Sequence, residues 1–118
     1  MIWIYHATSQ LQRNMHYVDD ELALLRLVMA SLDQYHYVAH VKHCELDVAF
    51  VVTGGPSVWT NAQSMHVCFA PQPQRPSDYG DILFEQAYGY ANLSTPAGFI
   101  PLVDVVERHG SLVRKTLN

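Results

Sequence analysis

Eight consecutive residues, Tyr35-His36-Tyr37-Val38-Ala39-His40-Val41-Lys42, alternate with a period of two. Successive side chains of a strand point to opposite faces, so the run fits a half-buried β-strand and not a helix. Tyr35, Tyr37, Ala39 and Val41 fall on one face; His36, Val38, His40 and Lys42 fall on the other. The segment before it has a different period. Leu22, Leu25, Val28, Met29 and Leu32 recur at helical spacing behind Asp19-Asp20-Glu21, and either aspartate suits an N-cap. One long helix over about 19–33 is expected. A strand directly after such a helix calls for a sheet with helices packed on it. The expected class is α+β: a small mixed or antiparallel sheet of about four to five strands, with that helix and one or two short ones. Leu24 and Leu27 lie off the main stripe, which widens the apolar arc beyond what a surface helix needs. The helix is therefore buried on two sides or meets another chain, and Leu24 and Leu27 are candidate residues of a homodimer contact.

Other elements follow from shorter signals. Met1–His6 reads as an opening strand, and Ala7–Val18 as polar and irregular. Over Cys44–Thr53, strand propensity at Val48, Phe50, Val51 and Val52 competes with helical spacing of Leu46, Ala49, Phe50 and Thr53. The Gly54-Gly55-Pro56 stop favours a short helix. His66–Ala70 is a strand, Pro71–Pro76 an extended loop, Asp78–Asp81 a turn, and Ile82–Phe84 a strand with Tyr88–Leu93 as its hairpin partner. After a turn at Pro96-Ala97-Gly98, Phe99–Val106 is expected to give a strand, then a short helix ending near His109-Gly110, with Ser111–Asn118 a frayed tail.

Composition bounds the function. A chain of 118 residues suits a single domain, 1–118. Its 7 basic and 11 acidic residues give a net charge of −4, and the basic ones are scattered. Nothing there neutralises a run of phosphates, which argues against nucleic acid as a direct ligand. The charged fraction of 15% is below the roughly 25% of an average domain, which leaves room for apolar surface hidden against a partner. No stretch approaches a membrane span or a secretion signal, so a cytoplasmic protein without a membrane partner is expected. Cys44 and Cys68 permit one disulfide but do not require it; free buried thiols suit a reducing compartment.

Catalytic patterns are weak. His36 and His40 would sit one turn apart on a helix, but four residues of strand span about 13 Å, too far to share a metal. His43 points to the other face, and His66 near Cys68 lacks the usual paired-ligand spacing. No metal site, no cofactor and no catalytic residue is assigned. Cys44 after His43 is the one thiol with a route to activation, and no serine-nucleophile or phosphate-loop motif occurs. Trp59 and Asn61 follow the Gly-Gly-Pro stop, where Trp59 either caps the core or anchors a partner.

Two resemblances add to these readings. Ile4-Tyr5-His6-Ala7-Thr8-Ser9 resembles the opening strand of ADP-ribosyltransferase-like toxins and effectors, where a His followed by Gly or Ala and Thr or Ser contacts a nicotinamide dinucleotide. The similarity implies an aromatic and a catalytic glutamate, for which Tyr79 or Tyr88 and Glu85 or Glu107 are the available residues. The second resemblance is carried by Tyr35, Val38-Ala39, Val41, Leu46-Asp47, Ala49-Phe50, Thr53, Trp59, Asn61, Arg75, Ser77, Gly80-Asp81 and Pro96, Gly98-Phe99. In order and spacing this set resembles the small YodL-like domain of phages, plasmids and conjugative elements. It departs from the pattern in Gly54-Gly55, Pro76, Tyr79 and the helix before Tyr35. The resemblance implies an accessory protein of a mobile element with no cofactor and no known catalytic residues; because no convergent set of titratable groups is read from the sequence, the expected function is non-enzymatic binding of another protein, such as a component of a host CRISPR or restriction system. Trp59, Asn61, Arg75 and Tyr79 are then the candidate contact residues, with Leu24 and Leu27 for self-association. The ADP-ribosyltransferase reading is the alternative.

Overall fold

A computed structural model describes residues 1–42, 45–54 and 75–115, and the backbone of 67–69. The order is β1 (Ile2–Ala7), α1 (Ser9–His16), α2 (Glu21–Ala30), a short 3-10 turn (Leu32–Gln34), β2 (Tyr35–Val41), α3 (Leu46–Gly54), β3 (Val67–Phe69), β4 (Ile82–Glu85), β5 (Tyr90–Thr95), β6 (Gly98–Leu102), β7 (Val105–Arg108) and β8 (Ser111–Arg114). Six strands form one sheet in the order β3-β2-β1-β4-β5-β6, and β7 pairs with β8. Every pairing is antiparallel. The class is α+β as expected, with more strands than expected.

Alternation along β1 divides the core. Tyr5 and Ala7 join Leu11, Val28, Leu32, Tyr35, Ile82, Phe84, Leu93, Val105 and Leu112 on one face. Ile2 and Ile4 join Val38, Ala39, Val41, Ala49 and Leu83 on the other. Helices α1 and α2 and the β7–β8 hairpin cover the first face; α3 covers the second. Burying each large aliphatic side chain contributes about 1.5–3 kcal/mol, so both faces of the sheet are needed. Pro101 sits in edge strand β6, where a missing N–H is tolerated and blunts pairing with another chain.

Several expectations need correction. Ala7–Val18 is not irregular: Thr8 accepts from the Leu11 amide and caps α1, which buries only Leu11. The long helix over 19–33 is shorter. Of the two aspartates expected as caps, Asp20 is the one that caps it, but it ends at Ala30, and Leu32–Gln34 forms the separate turn that feeds β2. Its stripe also rotates: Leu22 is 54% exposed, while Leu24, Leu25, Leu27 and Met29 are half-buried against the first face. The segment 99–110 holds no helix. It gives β6 and β7, and the two-residue turn His109-Gly110 has φ of 53° and 83°, the geometry of a type I′ hairpin. Nor is the end of the described chain frayed: Leu112 on β8 is buried in the core.

The register of β2 also moves its histidines. Opposite β1, Ile4 faces Ala39 while Tyr5 faces Tyr37, so Val38 is an extra residue in β2. A bulge of this kind exchanges the faces of everything beyond it. His40 therefore shares a face with Tyr37 and Trp3, and stacks on the Tyr37 ring at 6.3 Å. His36 lies on the opposite face beside His6. The shared wet face read from simple alternation does not exist.

Candidate functional site

The second face of the sheet gathers polar residues from three separate segments. His6 on β1 is 1% exposed, Thr53 near the end of α3 and Asp81 before β4 are fully buried, and Ser77 is 7% exposed. His6 Nε2 lies 2.9 Å from Ser77 Oγ. Ser77 Oγ lies 2.7 Å from Thr53 Oγ1, which donates to the Ala49 carbonyl at 2.8 Å. The proton directions follow by elimination. Thr53 spends its one hydroxyl proton on the helix carbonyl, so Ser77 donates to Thr53. That uses the Ser77 proton, so His6 Nε2–H donates to Ser77.

Asp81 anchors the other half. Arg75 grips it through two hydrogen bonds, Nη1 to Oδ2 at 2.7 Å and Nη2 to Oδ1 at 2.6 Å. The amides of Ala7 and Asp78 donate to the same carboxylate at 3.0 and 2.9 Å. Arg75 also donates to the carbonyls of Ala7 and Pro76. Gly80, at a φ of 97°, turns the chain so that its carbonyl accepts from Tyr35 Oη at 2.7 Å. Burial pushes the Tyr35 hydroxyl pKa up, and nearby Asp81 adds to this.

His6 with Ser77 and Asp81 has the membership of a nucleophilic triad but the wrong proton direction. A general base must accept the serine proton; here the imidazole donates and the serine proton points toward the helix. Asp81 Oδ2 is 3.7 Å from Nε2, and its oxygens are occupied by Arg75 and two amides. Burial, ahead of the charges of Arg75 and His36, pushes the His6 pKa down to about 4 against the opposing pull of Asp81. The imidazole is neutral at pH 7, so its contact with Asp81 is not an ion pair. The cluster ties α3, β1 and the approach to β4 together.

A second polar group lies on the opposite face. Trp3 and Tyr5 pack edge-on against Tyr37 with centroids at 5.9 and 6.0 Å, and Tyr37 hydrogen-bonds His40 Nδ1. Burial and then the Glu107 carboxylate on β7 raise the Tyr5 pKa. Burial and then Lys42 lower that of His40. The described residues hold no group of three or more His, Cys, Asp or Glu able to bind a metal.

Open surface is concentrated elsewhere. Tyr88 and Tyr90, 69% and 60% exposed, stack at 6.3 Å with their planes 18° apart. They flank a groove of about 380 Å³ whose wall includes Pro101, Leu102, Val103 and Val105. A second groove of about 290 Å³ runs between the end of α1 and the β5–β6 turn, past Met15, Val18, Leu24, Tyr79 and Pro96. It continues into a cavity of about 240 Å³ bordered by Asp19, Asp20 and Glu21.

The residues singled out from sequence fall in different places. Arg75 is committed to Asp81. Tyr79 is half-exposed, stacks on Phe50 at 5.7 Å and forms part of the second groove. Leu24 also lines that groove, and Leu27 packs inward. His6 of the transferase-like strand is buried, and Glu85 and Glu107 lie on β4 and β7 against different partners, Asn92 and Gly110. Trp59, Asn61, His43, Cys44 and His66 lie outside the described residues. Thr53, Arg75, Ser77 and Asp81, known only as an ordered pattern, join one network that His6 enters through Ser77 and Asp81, and no local signal linked it to them. The stacked Tyr88–Tyr90 pair was missed as a binding feature, although a Tyr-x-Tyr beside a glycine turn is visible in the sequence. Among the described residues, no helix is long and apolar enough to cross a membrane. No protein family, curated protein or solved structure matches the chain.

Proposed function

We propose that the chain is a non-enzymatic accessory protein of a mobile genetic element, working in the host cytoplasm by binding another protein. The resemblance carried by Tyr35 to Phe99 supports the mobile-element origin, and from that origin we infer as target a component of host defence such as CRISPR or restriction. The observation that carries the binding reading is the Tyr88–Tyr90 pair. Two stacked, exposed tyrosines beside an apolar groove offer large contact area at low conformational cost, the composition of an interface hot spot. Among the described residues, the cluster richest in reactive side chains is closed and has its protons spent within the fold, which favours binding over the transferase alternative.

The test is a host carrying an active CRISPR or restriction system. Expressing the protein should raise phage plating by at least about tenfold, and Tyr88→Ala/Tyr90→Ala should abolish the rise at unchanged melting temperature. Surface changes of this kind leave stability within about 0.5 kcal/mol. Equal plating with and without the protein across several defence systems refutes the host-defence role, and retained activity of the double variant refutes this face. Labelled dinucleotide transferred to a host protein, and lost on His6→Ala, would restore the enzyme reading.

A further inference from the structure

The groove between α1, α2 and the β5–β6 turn has a chemical polarity that the Tyr88–Tyr90 face lacks. Its two cavities share Val18, Leu24, Thr95 and Pro96, so they form one continuous channel. Met15, Val18, Leu24, Pro96 and Ile100 give it an apolar floor. Asp19, Asp20 and Glu21 stand together at one mouth, all exposed. Among the described residues no lysine or arginine lines either cavity, and His16 is the one titratable base, at the far end. Among the described residues none of the three acids makes an ion pair.

Helix capping explains only part of this. Asp20 accepts the Ala23 amide, and Glu21 occupies the first turn of α2, where a negative charge suits the helix dipole. Asp19 precedes the cap and serves neither purpose. Three adjacent carboxylates repel one another and raise a negative potential over an apolar channel. A neutral apolar ligand would use only the floor, and an anion would be repelled.

We propose that this groove takes a short cationic segment of a partner protein, with an apolar side chain seated between Met15, Val18, Leu24 and Ile100 and a lysine or arginine over Asp19, Asp20 and Glu21. The inference rests on the reading that the chain binds protein, and it uses a different face from the tyrosine pair. The basic residue supplies orientation and association rate, and the apolar one supplies residence.

The probe is a fluorescein-labelled leucine–lysine peptide, with a leucine–glutamate peptide of the same pattern as control, read by fluorescence anisotropy on the full chain. The lysine peptide should bind at least about tenfold more tightly than the control, and the difference should shrink at high salt. Amide chemical shifts should move at Val18, Leu24, Thr95 and Ala97. Asp19→Lys/Glu21→Lys keeps the Asp20 cap and should weaken the peptide by about tenfold or more. Ala97→Glu, on the exposed β5–β6 turn, adds charge without touching the core and should strengthen it. Equal affinity for the two peptides, shifts mapping elsewhere, or indifference to the charge reversal overturns the proposal. The peptide assay does not involve Tyr88 or Tyr90, so this groove and the tyrosine face can each fail alone.

Discussion

The buried imidazole of His6 should make the fold acid-labile by a calculable amount. Its pKa is held near 4, against an ordinary value of 6.5, so the unfolded chain binds a proton more readily than the native one. A depressed histidine pKa gives stability that is complete above about pH 6.5 and is lost as pH falls toward 4. Each tenfold difference in proton affinity between the two states corresponds to about 1.4 kcal/mol. The loss from this one group is about 2 kcal/mol at pH 5 and about 3 kcal/mol below pH 4. Other titrating groups are cancelled by comparison with His6→Gln, whose amide nitrogen can still donate to Ser77 Oγ but cannot titrate. Urea unfolding of both proteins at pH 7 and pH 5 gives the difference of differences. Wild type should lose about 2 kcal/mol more than the variant over that interval. Parallel losses, or a greater loss in the variant, would refute a neutral, solvent-excluded His6 and the relay built on it.

Asp81→Asn replaces one oxygen by an amide that faces a donor of Arg75 and the amide of either Ala7 or Asp78. Because Arg75 is 30% exposed and can be partly solvated, the expected cost is about 3 kcal/mol, measured as a lower urea midpoint at constant m. Gly80→Ala forces a side chain into φ 97°, with its Cβ 2.6 Å from the Met15 Cε; a loss of about 1–3 kcal/mol should appear in thermal melts. Leu112→Ala, in the segment expected to fray, should cost about 2–4 kcal/mol, and a cost below about 0.5 kcal/mol would show that β8 does not close the core.

What the sequence made legible was local. A short apolar run placed β1, alternation placed β2, the Asp19-Asp20 pair marked the start of α2, and the Gly54-Gly55-Pro56 stop ended α3, because each signal sits inside or beside its own element. Helix α1 escaped because Leu11 and Met15 are its two apolar residues, one turn apart, too few among eight mostly polar residues to stand out as a stripe. The β7–β8 hairpin escaped because His109-Gly110 imitates a helix end; only its two positive φ values distinguish a I′ turn, and histidine is not the residue that usually announces one.

The Val38 bulge is the more instructive failure, since no property of β2 alone encodes it. A bulge exists only relative to a partner strand, and this one shows as the change of register between Ile4 and Tyr5. With it, His40 turns to the aromatic group around Trp3 and Tyr37, and His36 stays beside His6. The two imidazoles are still too far apart along the strand to share a metal, but they do not stand on one wet face. The polar cluster obeys the same logic. Thr53, Ser77 and Asp81 carry ordinary turn and cap signals individually, and His6 reads as a strand residue. Their common purpose emerges only when β1, α3 and the approach to β4 meet, across separations of up to 74 residues. Local patterns could therefore supply several of the elements, but the direction in which Ser77 sends its proton, which separates a structural lock from a nucleophile, depends on a helix carbonyl at Ala49 that no motif would have consulted.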